Sequence, residues 1–215
     1  MLLTTAYFPP VSWFAALASE FTLSPDRVNP SILVLEACEN YQKQSYRNRC
    51  RIYSASGVED LNVPVVHEGG TFKLPITSIK VDYSVPWVQK TERAICAAYD
   101  SSPYFEYYKD EIFAILDSHP ATLWDLNLEL IRFFLRKTGI SADIRQTENF
   151  SLEAEGEDRR WTIHPKKEDT VLSELQLEKP YFQVFARKYG FKPNLSIMDL
   201  LFNEGPDSIV YLKKF

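Results

Sequence analysis

Ile32-Leu33-Val34-Leu35 is an unbroken run of β-favouring apolar residues, and it delivers Glu36, Cys38, Glu39 and Asn40 at its carboxyl end. A continuous apolar run bounded by polar residues is the pattern of a strand buried on both faces, as in a sheet flanked by helices. Upstream, Leu2 to Phe8 reads as an opening strand stopped by Pro9-Pro10, and Ser12 to Ala18 as a short apolar helix. Downstream, Arg49 to Ser54 forms a third candidate strand, with a turn around Ser56-Gly57. Leu61 to Val66 and Ile76 to Val81 read as two more. Glu68-Gly69-Gly70 supplies the turn chemistry of a hairpin between them, and Pro64 and Pro75 favour edge positions.

The middle of the chain is helical. Trp87, Thr91, Ala94 and Ala98 define one helix face, and Phe105, Tyr108, Ile112 and Ile115 the next, with Ser102-Pro103 as its opening. Thr122 with Asp125 resembles a capping pattern, Leu126, Leu130 and Phe133 continue that helix, and Gly139 can end it. Ala142 to Thr147 returns to strand character. Residues 148–169 are polar and charged and read as a flexible loop, with a basic, aromatic island from Arg159 to Lys167. A short helix is expected over Tyr181 to Tyr189, and a last one opened by Ser196 and Asp199. The order of elements predicts an α/β fold: a single domain over residues 1–215, with a mixed, partly parallel sheet, flanking helices and a mainly helical middle segment.

The totals exclude several classes. A chain of 215 residues with 45% hydrophobic content has the material for a core. A net charge of −5 argues against a general nucleic-acid binder, which displaces phosphate counterions with cations. No run of about eighteen apolar residues is present to span a membrane. The first residues lack the basic start of a signal peptide, and Pro9-Pro10 would break its helix, so the protein is expected in the cytoplasm. Cys38, Cys50 and Cys96 have no Cys-x-x-Cys spacing and, with His67, His119 and His164, form no compact zinc set. Glycine-rich dinucleotide and P-loop signatures, a Gly-x-Ser-x-Gly elbow and His-Glu-x-x-His are all missing. No motif identifies a cofactor.

The candidate site follows the Ile32–Leu35 strand, because ligands of open α/β sheets collect beyond the carboxyl ends of strands. Asn40, Gln42, Lys43, Arg47, Asn48 and Arg49 crowd amide and cationic donors together, which suits phosphate or carboxylate groups, and Tyr41 and Tyr46 offer rings for stacking. The same segment also reads as a solvated loop whose arginines pair with Glu36 and Glu39. Glu36 is a general-base candidate if burial raises its pKa, and an ion-pair partner of Arg47 or Arg49 otherwise. Tyr7-Phe8-Pro9-Pro10 either walls a pocket or turns the chain. Cys38 lacks a neighbouring base in sequence, and His67 falls on an expected exposed turn. The island containing His164 is a surface loop or a lid over an anion.

Four stretches together resemble the WbqC-like protein family. They are Ala6-Tyr7-Phe8-Pro9-Pro10 with Trp13-Phe14, Glu39 to Arg49, Ala97-Ala98-Tyr99 with Pro103-Tyr104-Phe105, and Asn194 to Asn203. The resemblance implies a link to O-antigen and lipopolysaccharide synthesis, and some members are described as glycine transferases. Many members resemble a His-Gln-Pro-Asn opening where Leu3-Thr4-Thr5-Ala6 stands here. The resemblance, taken together with the anion-binding reading of the 40–49 segment, suggests an acyl- or aminoacyl-transferase acting on a sugar precursor. The reading of the residues would supply Glu36 as proton acceptor, Arg47 foremost in holding a phosphate-bearing donor, and Tyr7, Asn40, Tyr41, Gln42, Lys43, Asn48 and Arg49 around the ligand. The alternative is a non-catalytic protein partner, or ligand-binding member, of a glycan-assembly complex, which the departure at Leu3-Thr4-Thr5-Ala6 favours. A glycosyltransferase ranks lower for want of an Asp-x-Asp motif.

Overall fold

A computed structural model describes residues 1–22, 31–66, 73–154 and 156–214. The expected Glu68-Gly69-Gly70 turn and His67 lie outside the described residues. In chain order the elements are β1 (Leu2–Thr4), α1 (Val11–Thr22), β2 (Ser31–Glu36), β3 (Arg49–Ser54), β4 (Gly57–Asn62), α2 (Trp87–Tyr99), α3 (Phe105–Asp117), α4 (Leu123–Thr138), β5 (Ala142–Gln146), α5 (Val171–Glu174), α6 (Ala186–Tyr189), α7 (Ile197–Glu204) and α8 (Ser208–Leu212). The fold is α/β, as the element order predicts. Its parallel and antiparallel strands lie in two separate sheets: a parallel one of order β1-β2-β5, and the β3-β4 hairpin.

β2 is the central parallel strand, pairing Leu2 with Val34 on one side and Val34 with Arg145 on the other. The expectation that it is buried on both faces is corrected. Leu33 and Leu35 are sealed in the core against α1, whereas Ile32 is 42% exposed and Val34 half-buried. Side chains of a strand alternate between faces, so only the odd-numbered pair meets the helical layer. The even-numbered face carries Ile32, Val34 and Glu36 toward the irregular segment after β5.

β1 is shorter than the sequence suggests. It ends at Thr4, and the backbone then bends through buried Phe8, held at φ +41° in the left-handed region that non-glycine residues rarely occupy. The bend is pinned by Tyr7 N–H donating to the Tyr46 carbonyl at 2.8 Å and by edge-to-face packing of Phe8 on Phe134. The second correction concerns the expected 61–66/76–81 hairpin. Leu61 and Asn62 belong to β4, Ile76–Ser78 forms a 3-10 turn, and the two stretches meet only at the Val65–Val81 bridge. The hairpin that forms is β3-β4, closed at Gly57, whose φ of +109° suits glycine.

The three middle helices form as the periodicity predicts. α4 is the innermost, burying Leu126, Leu130, Ile131, Phe133 and Phe134. Thr122 Oγ1 accepts from Asp125 N–H at 3.1 Å, and Gly139 closes the helix at φ +72°. α3 departs from expectation at its start: Tyr104, not Ser102, precedes it, and no side chain caps it. Of the helix expected over 181–189, only Ala186–Tyr189 forms. Ser196 caps α7 by accepting from Met198 N–H at 3.2 Å, whereas the Asp199 carboxylate turns inward to Tyr181 and Gln183.

Candidate functional site

Two cavities flank the segment that leaves β2; one takes Tyr41, Lys43, Asn48 and Arg49 of the expected site residues, the other Glu36, and Tyr7, Asn40, Gln42 and Arg47 line neither. The first, about 450 Å³, lies between the 41–49 segment, the residues after β4 and the start of α2. Tyr41, Lys43, Asn48 and Arg49 line it together with Val63 and Trp87. The irregular 40–48 backbone is held open by its own bonds: Tyr41 N–H donates to the Leu74 carbonyl at 3.0 Å, Ser45 Oγ to the Gln42 carbonyl at 2.6 Å, and Asn48 Nδ2 to the Val63 carbonyl at 3.1 Å. Arg49 is half-buried, donates from Nε to Asn62 at 3.1 Å and pairs with Asp60 at 3.1 Å. Burial pushes the Tyr41 phenol up to about 12, so it stays a neutral hydroxyl.

Gln42 is half-buried and Asn40 exposed; Asn40 bridges Pro75 and lies outside this lining. Tyr7 is fully buried beneath the cavity, its ring 6.5 Å from that of Trp87, and burial raises its phenol well above the usual value. Arg47 is 1% exposed and faces inward, donating to Glu39 from Nε at 3.0 Å and Nη2 at 2.6 Å. Its own carbonyl accepts from Asn127 of α4 at 2.8 Å. Burial raises the Glu39 carboxyl even against the Arg47 hydrogen bonds and charge. The pair anchors the segment to the helical core.

The basic island joins this site. Lys166 Nζ donates to Gln44 Oε1, on the cavity lining. The His164 imidazole titrates below its ordinary value, first through burial and then through the positive charges of Arg47, Lys167 and Lys166. Cationic potential therefore accumulates on this side of the segment.

The second cavity, about 420 Å³, lies over the open face of the parallel sheet. Glu36, fully buried, stands at its wall. Oε1 accepts from Cys38 N–H at 2.9 Å and Thr147 Oγ1 at 2.6 Å, and Oε2 accepts from Arg160 Nη1 at 2.6 Å. Glu36 thus pairs with Arg160 rather than with Arg47 or Arg49. Arg160 is itself clamped by Asp158 and lies against the rings of Phe150 and Trp161. Cys38 Sγ contacts the Thr147 carbonyl at 3.5 Å, with no histidine partner for it among the described residues. Glu39 senses Glu36 and Arg160 as well as Arg47, so one buried charge network lies between the two cavities. Trp87 and Arg160 were not singled out from the sequence. The apolar stripe hid the first, while the second stood in the basic island without a visible partner. No described cluster of His, Cys, Asp or Glu could hold a metal ion, and no described helix is long and apolar enough to cross a membrane.

This is an α/β protein in which two cavities open beside the segment that follows the central parallel strand. The chain belongs to the WbqC-like protein family, whose model matches residues 6–174. It is also 28% identical, over 80% of its length and 84% of the other chain, to a protein of Mycobacterium tuberculosis (strain ATCC 25618 / H37Rv) described as "Uncharacterized protein Rv1507c". No solved structure matches it.

Proposed function

We propose that the chain is an acyl- or aminoacyl-transferase that acts on a phosphate-bearing sugar precursor of a surface polysaccharide. The observation that carries the reading is the 450 Å³ cavity, where Tyr41, Lys43, Asn48 and Arg49 meet Trp87, with Lys166 bonded to Gln44 at its lining. Guanidinium and ammonium groups recognise phosphate oxygens, and the rings offer a face to a base or sugar. The family's association with O-antigen synthesis supports the reaction class. Glu36 enters as acceptor of a hydroxyl or amine proton in the second cavity, its carboxylate aimed by Arg160, Thr147 and Cys38. Arg47 acts as a positioning residue through Glu39. In such a transfer, most of the rate comes from holding two substrates in line.

The test is a thermal-shift titration with nucleotide sugars, acyl-CoA and glycine, on the native chain and on Arg49→Gln. One class is expected to raise the melting temperature saturably, with about 2.7 kcal/mol of stabilisation at a hundred times its Kd. The rise should be lost in Arg49→Gln while the unliganded melting temperature holds. No shift with any ligand, or an equal shift in the variant, refutes the reading.

A further inference from the structure

The cavity on the open sheet face differs in chemistry from the one at Trp87. Its floor is apolar: Leu2 and Val34 stand side by side in register across β1 and β2. Its walls alternate donors and acceptors, with Glu36, Thr147 and Arg160 within and Asn149, Ser151 and Glu153 at the exposed rim. Glu36 and Arg160 are 0% and 2% exposed, so this is a built interior, not a chance surface hollow.

Arg160 is only partly used by the fold. Nε and Nη2 donate to Asp158, and Nη1 donates to Glu36. Each Nη carries a second hydrogen, and among the described residues neither has an acceptor. A buried polar group with unspent donors favours a partner that brings oxygen lone pairs. Phe150 and Trp161 sit 5.5 and 5.7 Å from the guanidinium and remain 44% and 43% exposed, leaving flat apolar surface beside the cavity. Charge then restricts the ligand. An anion would meet the carboxylates of Glu36 and Glu153; the Arg160 charge is already paired with Glu36 and Asp158, and the Met1 ammonium at the lining is paired with Glu20 at 3.0 Å.

We propose that this cavity binds an uncharged, hydroxyl-rich ring, such as a monosaccharide unit. The C–H face of the ring rests on Leu2 and Val34. Its hydroxyls accept from the free Arg160 hydrogens and Asn149 and donate to Glu153, while Glu36, sealed behind, holds the guanidinium in place. The assignment rests on the reading of the chain as acting on a sugar precursor, and places the uncharged part of that substrate. Only a ligand with both donors and acceptors and an apolar face satisfies the whole lining.

Amide-resolved NMR of the native chain tests this, with glucose, galactose, mannose and inorganic phosphate titrated separately. At least one sugar is expected to perturb the Val34, Thr147, Asn149 and Ser151 amides saturably at millimolar concentration, while phosphate leaves them unmoved. Asn149→Ala, at an exposed position, should raise the Kd for that sugar severalfold without altering the rest of the spectrum. Absence of a response to all three sugars, or a phosphate response at the same amides, overturns the assignment. Failure of the nucleotide-sugar, acyl-CoA and glycine titrations to give an Arg49-dependent thermal shift, with sugar binding at these amides intact, would instead count against the transferase reading alone.

Discussion

Replacement of Arg47 by alanine separates a ligand-contacting arginine from one that holds the fold. The sequence segment suggests that Arg47→Ala abolishes donor binding and leaves the protein folded. The structure places the guanidinium in a two-pronged pair with Glu39 at 3.0 and 2.6 Å, with Arg47 1% and Glu39 4% exposed. Removing one member of such a pair strands a carboxylate whose protonation burial already favours. That loss is about 3–5 kcal/mol, a large part of the roughly 5–15 kcal/mol that holds a domain together. With a urea dependence of about 2 kcal/mol per molar, a loss of about 4 kcal/mol lowers the unfolding midpoint by about 2 M. The assay is urea unfolding followed by circular dichroism, comparing Arg47→Ala with Arg47→Met/Glu39→Leu. Replacing both charges with apolar groups should recover most of the loss, because a buried pair repays little more than its own desolvation. A loss below about 1 kcal/mol for Arg47→Ala, the worth of an exposed pair, would refute the reasoning. So would a double variant no more stable than the single one.

Asp199 should make stability fall with rising pH. Burial raises its pKa from 3.8 to about 6, more than the hydrogen bonds from Tyr181 and Gln183 lower it. The folded state therefore binds the proton more tightly, and the contribution is complete below the unfolded value and lost as pH rises through about 6. The difference in unfolding free energy between the native chain and Asp199→Asn should change by about 3 kcal/mol between pH 3.5 and 7, at 1.36 kcal/mol per pKa unit, in favour of the variant at neutral pH; a constant difference would exclude the linkage. Thr122→Ala removes the α4 cap and should cost about 1 kcal/mol in chemical unfolding, with Thr122→Ser recovering most of it. Gly205→Ala should cost at least about 1–3 kcal/mol, since the added methyl would lie 2.6 Å from the Tyr104 ring at a backbone φ of +55°. Unchanged thermal unfolding of that variant would show that the ring yields freely.

The sequence alone determined the features that depend on neighbours along the chain. The middle helices were legible because apolar residues recur at helical spacing and because Thr122 and Gly139 punctuate α4. β2 was legible as a strand from Ile32–Leu35, and Ser196 as a cap, since a side-chain oxygen satisfies an N–H within one turn. Crowding of Tyr41, Lys43, Asn48 and Arg49 was likewise local, and these four share one cavity.

Tertiary structure decided which side of each element is covered and which charges meet. No local rule shows that β2 leaves Ile32 and Val34 toward an open face, because that depends on β1 and β5 joining it from distant parts of the chain. Residues 61–66 read as one strand of their own, yet Leu61 and Asn62 pair with β3, where cross-strand packing and ladder bonds set the register, and Val65 bridges Val81. Arg47 and Arg49 look alike in sequence, but α4 buries one against Glu39 and leaves the other at a cavity wall. Glu36 found its partner in Arg160, 124 residues away. Charge pairing acts through space rather than along the chain, so only the folded arrangement of β2 and the segment after β5 could join them.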